Sequence, residues 1–212
     1  MSNTLPSKGA VSAQSGLQCP PMTFWGWLAM VVLFLHLPIP LYWIVLHPAV
    51  KFWRSRPNAA YLTGFVLSWP PVTTTLVFYR HALFRSARGP WLMIAAGLGL
   101  IVLEAWIFWS VHRDLGAARI VGKTELSGGG EIADRGIYAR IRHPRYAGSF
   151  LAIVGALLLA GTPMLWLAAF AWTVLMRLAI LLEERELRAR FGAAYEEYCR
   201  RVPRFIPVRR EP

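Results

Sequence analysis

The stretch Gly136-Ile137-Tyr138-Ala139-Arg140-Ile141-Arg142-His143-Pro144-Arg145-Tyr146-Ala147-Gly148 sets three arginines, a histidine, two tyrosines and a proline between two glycines. Pro144 disfavours helix at His143 and suits the first turn of a following helix, so His143 is expected to cap a helix start. The free N–H groups and dipole of such a start favour an anion. Arg142 and Arg145 add charge there, which suits a carboxylate or phosphate. Tyr138 and Tyr146 offer aromatic faces to a planar base or a cation. The flanking Gly136 and Gly148 permit close backbone approach. A second polar cluster follows an apolar run: Glu183-Glu184-Arg185-Glu186. Its carboxylates can accept bonds from hydroxyls or from an ammonium.

The elements that must position these residues are apolar. The 212-residue chain is 56% hydrophobic and 16% charged, against about 25% charged in soluble domains. That composition indicates a membrane protein of one domain, taken as 23–212, behind a polar, disordered tail over 1–22. The tail lacks the basic start and cleavage site of a secretory signal, so the next apolar run is expected to stay. The net charge is +12. Its cations flank apolar runs, which points to anionic lipid headgroups and fixed topology rather than nucleic acid. Cys19 and Cys199 form no CxxC pair and no metal-ligand spacing, so neither a disulfide framework nor a metal site is expected.

The fold class expected is all-α: a polytopic membrane protein with about five transmembrane helices, the last two a tight helical hairpin, plus a cytoplasmic C-terminal helix. The spans fall at 24–46, 61–79, 91–111, 146–160 and 164–182, with Gly161-Thr162-Pro163 as the hairpin turn. Pro38 and Pro40 should kink or end the first span, and Pro70-Pro71 should interrupt the second. A fifteen-residue arm is only about 22 Å long, so the hairpin either dips without crossing a roughly 30 Å core or begins near Pro144. His36 is read as a packed or interfacial histidine. Glu104 and Arg177 are intramembrane charges and require a partner or a cavity. The loop at 116–124 mimics a phosphate-binding G-x-x-x-x-G-K-T loop, but five residues rather than four separate its glycines and no strand precedes it. Residues 183–198 continue as a polar helix with Leu187, Phe191, Tyr195 and Tyr198 at helical spacing. With five spans, four Lys and Arg fall on one side and eighteen on the other. The richer side is expected to be cytoplasmic, with the N-terminus outside and the C-terminus inside. Both polar clusters then share the cytoplasmic face, brought together by the hairpin.

Taken together, the clusters suit a ligand with a carboxylate, an ammonium, a sulfonium, a ribose and an adenine, which describes S-adenosylmethionine. A juxtamembrane basic anchor on lipid headgroups explains the same composition without a ligand. The choice is sharpened by a resemblance. Gly-Ile-Tyr-x-x-x-Arg-His-Pro-x-Tyr-x-Gly at 136–148 is similar to the signature of the isoprenylcysteine carboxyl methyltransferase family and its phospholipid N-methyltransferase relatives. So is Glu183-Glu184-x-x-Leu187-x-x-x-Phe191-Gly192-x-x-Tyr195-x-x-Tyr198 with Val202-Pro203-Arg204-Phe205-Ile206-Pro207. The likeness covers about 130–207.

It implies an integral membrane methyltransferase that uses S-adenosylmethionine to methylate a lipophilic carboxylate or amine at the cytoplasmic face. The implied cofactor-binding residues are Gly130, Glu131, Ile132, Ala133, Tyr138, Arg142, His143, Pro144, Arg145, Tyr146, Glu183 and Glu184. The eukaryotic prenylcysteine enzymes carry an arginine four residues before the cofactor-binding glutamate. This chain has Ala179 or Ile180 there, with Arg177 close by and on the face of Glu184, so prenylcysteine itself is not implied. Arg177 is one candidate catalytic residue. The other is Glu104, as the base an amine acceptor needs. The implied reaction, in-line attack on a sulfonium methyl group, asks mainly for alignment and exclusion of water. The expected partners are a lipophilic substrate and membrane lipids, without nucleic acid or metal. An NADPH-dependent membrane reductase of steroid-reductase type, or a non-catalytic membrane protein, is the alternative.

Overall fold

A computed structural model describes residues 21–84, 90–116, 120, 122, 126–127 and 130–207. Most of the expected N-terminal tail, Arg85, Arg88 and most of the loop at 117–129 lie outside the described residues. Those described are helical, without a strand among them.

Helix α1 (Phe24–His36) starts at Thr23, whose Oγ1 accepts from Gly26 N at 3.2 Å, a side-chain N-cap. It stops before Pro38 and Pro40, as their missing N–H groups demand. Chain growth resumes as α2 (Ile39–Leu46), a single 3-10 turn (His47–Ala49) and α3 (Val50–Arg54). In a continuous helix the carbonyl of His36 would accept from residue 40, which is proline. The indole of Trp172 donates to that carbonyl instead, at 3.0 Å. The break is thus satisfied by a residue 136 positions away.

The prolines of α4 (Pro57–Phe78) behave differently. The expected interruption at Pro70-Pro71 does not occur, and the helix runs through both. Around them, Ser68, Thr73 and Thr75 donate hydroxyl bonds to the carbonyls of Gly64, Trp69 and Pro71, the back-bonding that lets a helix bend without breaking. After α5 (Arg80–Leu83) come α6 (Trp91–Leu115), a 3-10 turn (Gly136–Ala139), α7 (Pro144–Ala160), α8 (Leu165–Phe191) and α9 (Ala193–Arg201).

Three stretches are long and apolar enough to cross a membrane: Phe24–Arg54, Trp91–Leu115 and Leu165–Phe191. Of the five expected spans, the one in α4 is not among these, and α7, although apolar, is only 17 residues long. Helix α7 is the hub. It packs chiefly on α6 and α1, and Ala152, Ile153, Ala156 and Leu159 are sealed from solvent. Its tightest approach to α6 joins Gly155 and Gly97: a Cβ on either would lie 2.7 Å from the other's carbonyl oxygen. Small residues at such crossings let membrane helices approach closely. Outward faces of α6 and α8 carry exposed Leu92, Val102, Trp106, Leu167, Phe170 and Val174, an apolar girdle too large for a water-facing surface.

His36 and Glu104, expected as separate problems, are partners. His36 Nε2 lies 3.4 Å from Glu104 Oε1, and both side chains are largely buried. Intramembrane charges are tolerated when paired in this way.

Candidate functional site

The turn at Gly161 reverses the chain between α7 and α8, so the start of α7 lies beside the end of α8. Consecutive residues on a helix point in different directions, and the two adjacent glutamates divide accordingly. Glu184 is fully buried. Its Oε1 takes bonds from Arg142 Nη1 (3.0 Å), His143 Nε2 (3.2 Å) and Arg204 Nε (2.9 Å), and its Oε2 from Arg204 Nη2 (2.7 Å). Charge-assisted contacts of this kind are among the strong ones. They tie α8 both to the Arg142-His143 segment and to the chain after α9. Two backbone bonds complete the clamp: Arg142 N donates to Pro203 O at 2.9 Å and His143 N to Arg204 O at 3.0 Å. The hydrogen bond to Glu184 holds the Arg204 guanidinium above its ordinary pKa.

Glu183 instead lines a cleft of roughly 790 Å³ with its open mouth, and its Oε2 accepts from Tyr146 Oη at 2.8 Å. The cleft is also walled by Glu131, Ile132, Ala133, Tyr138, Arg142, His143, Arg145 and Tyr146. Gly130, Pro144 and Glu184, named with them from the sequence, are not on its wall. His143 does precede the first residue of α7, but its side chain makes no cap bond. It turns toward the glutamates and stacks on Tyr146, with ring centroids 5.5 Å apart and planes at 16°. Both arginines assigned to the anion seat already have protein partners. Arg142 Nη1 also meets Cys199 Sγ at 2.7 Å while its buried Nε has no hydrogen bond, and Arg145 donates to the carbonyl of Ile120.

Further supports come from outside the motif. Gly136 sits at φ +58°, and the carboxylate of Asp114 occupies the space a Cβ would fill while accepting from Ile137 N at 2.8 Å. Tyr198 Oη donates to Tyr138 O at 2.8 Å, tying α9 to the 3-10 turn. Burial raises the pKa of both Tyr195 and Tyr198, which keeps these wall phenols neutral. Sequence reasoning did not assign Trp43 or Arg190 to the site, yet both line the cleft. Trp43 had no sequence signal, because it lies in an apolar span whose only punctuation is proline.

A second cavity, roughly 950 Å³ with its open mouth, lies against the first. Phe150, Leu151, Trp172, Met176, Ile180 and Phe205 make it apolar, and Arg177 is the one charged group on its wall. Tyr146 belongs to both cavities. Glu104 reaches neither, held by His36 on the far side of α7. Among the described residues no cluster of His, Cys, Asp and Glu is arranged to hold a metal ion.

Comparison with known proteins follows this geometry. Residues 92–194 match the family model of phospholipid methyltransferases. Methanethiol S-methyltransferase 2 of Bradyrhizobium diazoefficiens is 29% identical over 182 residues, covering 77% of this chain and 67% of that protein. Protein-S-isoprenylcysteine O-methyltransferase of Schizosaccharomyces pombe is 37% identical over 81 residues, covering 34% of this chain and 31% of that protein. No solved structure matches the chain.

Proposed function

We propose that this chain, a member of the isoprenylcysteine-carboxyl-methyltransferase-like family of membrane proteins, transfers a methyl group from S-adenosylmethionine to a lipophilic acceptor. The observation that carries the reading is the pair of adjoining cavities divided by Tyr146. One is polar and ringed with charge, as a zwitterionic, ribose-bearing cofactor needs. The other is apolar and borders the lipid-facing helices, as an acceptor arriving from the bilayer needs.

The residues fit the cofactor in kind. Glu183 accepts from an ammonium or from ribose hydroxyls, Tyr138 and Tyr146 offer faces, and Arg142 keeps a buried, unpaired Nε toward an acceptor. Bound there, the cofactor supplies an electrophilic methyl on a sulfonium whose departure leaves a neutral thioether. The protein's own work is alignment and dryness. Tyr146, fixed by its bond to Glu183 and its stack on His143, defines the opening between the two cavities. Phe205 covers the same edge. Arg177 favours an anionic nucleophile over an ammonium; one named relative is an S-methyltransferase of a thiol and the other an O-methyltransferase. A carboxylate is already anionic and needs no base, whereas a thiol must first lose its proton; for a carboxylate acceptor Glu104 is a structural partner of His36.

The same proposal treats 23–212 as one domain whose catalytic part is about 130–207. Five crossings, with α7 and α8 as the closing hairpin and the Lys/Arg-rich side in the cytoplasm, put the cofactor cleft at the cytoplasmic face and the N-terminus outside. Calorimetric titration of the detergent-purified protein with S-adenosylmethionine, its demethylated product and NADPH tests the reading. Heat is expected from the first two. Binding of NADPH alone overturns it in favour of a reductase, and binding of none favours a non-catalytic protein.

A further inference from the structure

The cleft reaches past the Arg-His-Pro motif to a group of buried polar atoms with no hydrogen-bond partner. Trp43 Nε1, His47 Nε2 and Arg190 Nε and Nη1 are all buried and unbonded among the described residues. Each comes from outside the motif at 136–148: Trp43 from α2, His47 from the 3-10 turn, Arg190 from the last turn of α8. Trp43 and Arg190 line the cleft. His47 stacks on Trp43 with centroids 5.1 Å apart and planes at 22°, and is 5% exposed. The turn carrying it packs on α8.

Orphaned buried N–H groups are rare and costly, and two side chains supplying them on one wall of the cleft, Trp43 and Arg190, call for a common acceptor. Arg190 lies over the Phe191 ring, 4.5 Å from its centroid, and pairs with Glu186, whose Oε1 is 3.6 Å from its Nη1, near enough to offset charge and too far to hydrogen-bond; Glu186 Oε2 is itself buried and unbonded. Arg142 and Arg145, the cations the motif offered for an anion, are bound to Glu184, Cys199 and the Ile120 carbonyl. Glu183, on the same wall, carries the charge that a neighbouring ammonium requires.

We propose that Trp43 and Arg190 form the seat of an α-carboxylate, with His47 stacked against Trp43 and Glu183 facing the adjacent α-ammonium, so that the amino-acid end of the ligand is read jointly by the N-terminal helices and the end of α8. The inference rests on the cofactor reading above and goes beyond it: half of the chain that carries no motif helps to select the cofactor. The Arg190 guanidinium offers a carboxylate an unpaired N–H at Nη1, and the indole N–H adds a donor that cannot deprotonate.

The test is titration calorimetry on the full, detergent-purified chain with two probes: S-adenosylmethionine and its decarboxylated analogue, which keeps the ammonium, sulfonium, ribose and adenine. Wild type is expected to bind the first about tenfold or more tighter than the second. Arg190→Gln should remove about that factor for S-adenosylmethionine and leave the decarboxylated probe nearly unchanged. Trp43→Phe removes the N–H together with the pyrrole ring but leaves the arginine in place, so it repeats the test where loss of the arginine compromises folding. It should lower affinity for the carboxylate-bearing probe more than for the decarboxylated one. Equal weakening of both probes, or wild type that does not distinguish them, overturns the carboxylate seat while leaving the cofactor reading intact. Failure of wild type to bind either probe removes the cofactor reading and the seat with it.

Discussion

Glu183 and Glu184 share a dipeptide and have separate tasks. One turns into the cleft and meets Tyr146; the other is sealed among Arg142, His143 and Arg204. Removing the charge of Glu184 leaves buried cations without a counter-ion. Glu184→Gln is therefore expected to lower stability by roughly 3–5 kcal/mol, the range for breaking a buried ion pair from one side. Glu183→Gln, which keeps an acceptor for Tyr146, should change stability by less than about 1 kcal/mol and instead weaken cofactor binding. Thermal unfolding in detergent, followed by calorimetry, separates the two; a Glu184→Gln protein as stable as wild type would show that the clamp is not structural. The sequence placed both glutamates near His143 but could not divide their roles. The division depends on Arg204, twenty residues on, reaching back to one carboxylate, which no local pattern encodes. The same limit hid Trp43 and Arg190.

At the scale of elements, the same residue type had opposite outcomes. Pro38 and Pro40 end a helix, and the freed carbonyl of His36 is taken by Trp172. Pro70 and Pro71 do not end theirs: the helix runs through both, with three nearby hydroxyls bonding back along it. The proline signal was legible, while its consequence was not. Glu104 and Arg177 were legible as anomalies of the apolar spans. What each faces, a histidine and an apolar cavity, required the packing. Helix α7 depends on its contact with α6, where backbone rather than a flexible side chain meets any added atom at Gly155. Gly155→Ala is expected to destabilise by about 1–3 kcal/mol through overpacking and, by shifting α7, to loosen ligand binding at its other end. A melting temperature unchanged from wild type would mean that the two helices separate at little cost.

On the scale of the whole molecule, the segments that insert in the bilayer and the segment that locks the site are different parts of the chain. Hydropathy and the order of the polar motifs were enough to foresee a helical membrane protein. The lock was not foreseeable, because it is made by backbone bonds between Arg142-His143 and Pro203-Arg204, and backbone pairing leaves no trace in residue type. This separates assembly in time. The strap comes last in the chain: until Pro203 and Arg204 are in place, nothing joins α8 to the Arg142-His143 segment from the far side. A chain stopped after Val202 never gains it. It is expected to fractionate with membranes like the full chain, yet to be cut by added protease at Arg140 or Arg142, where the intact protein resists. Equal protease resistance of the two would mean that the cleft closes without its last strap, and that the site matures helix by helix rather than in one terminal step.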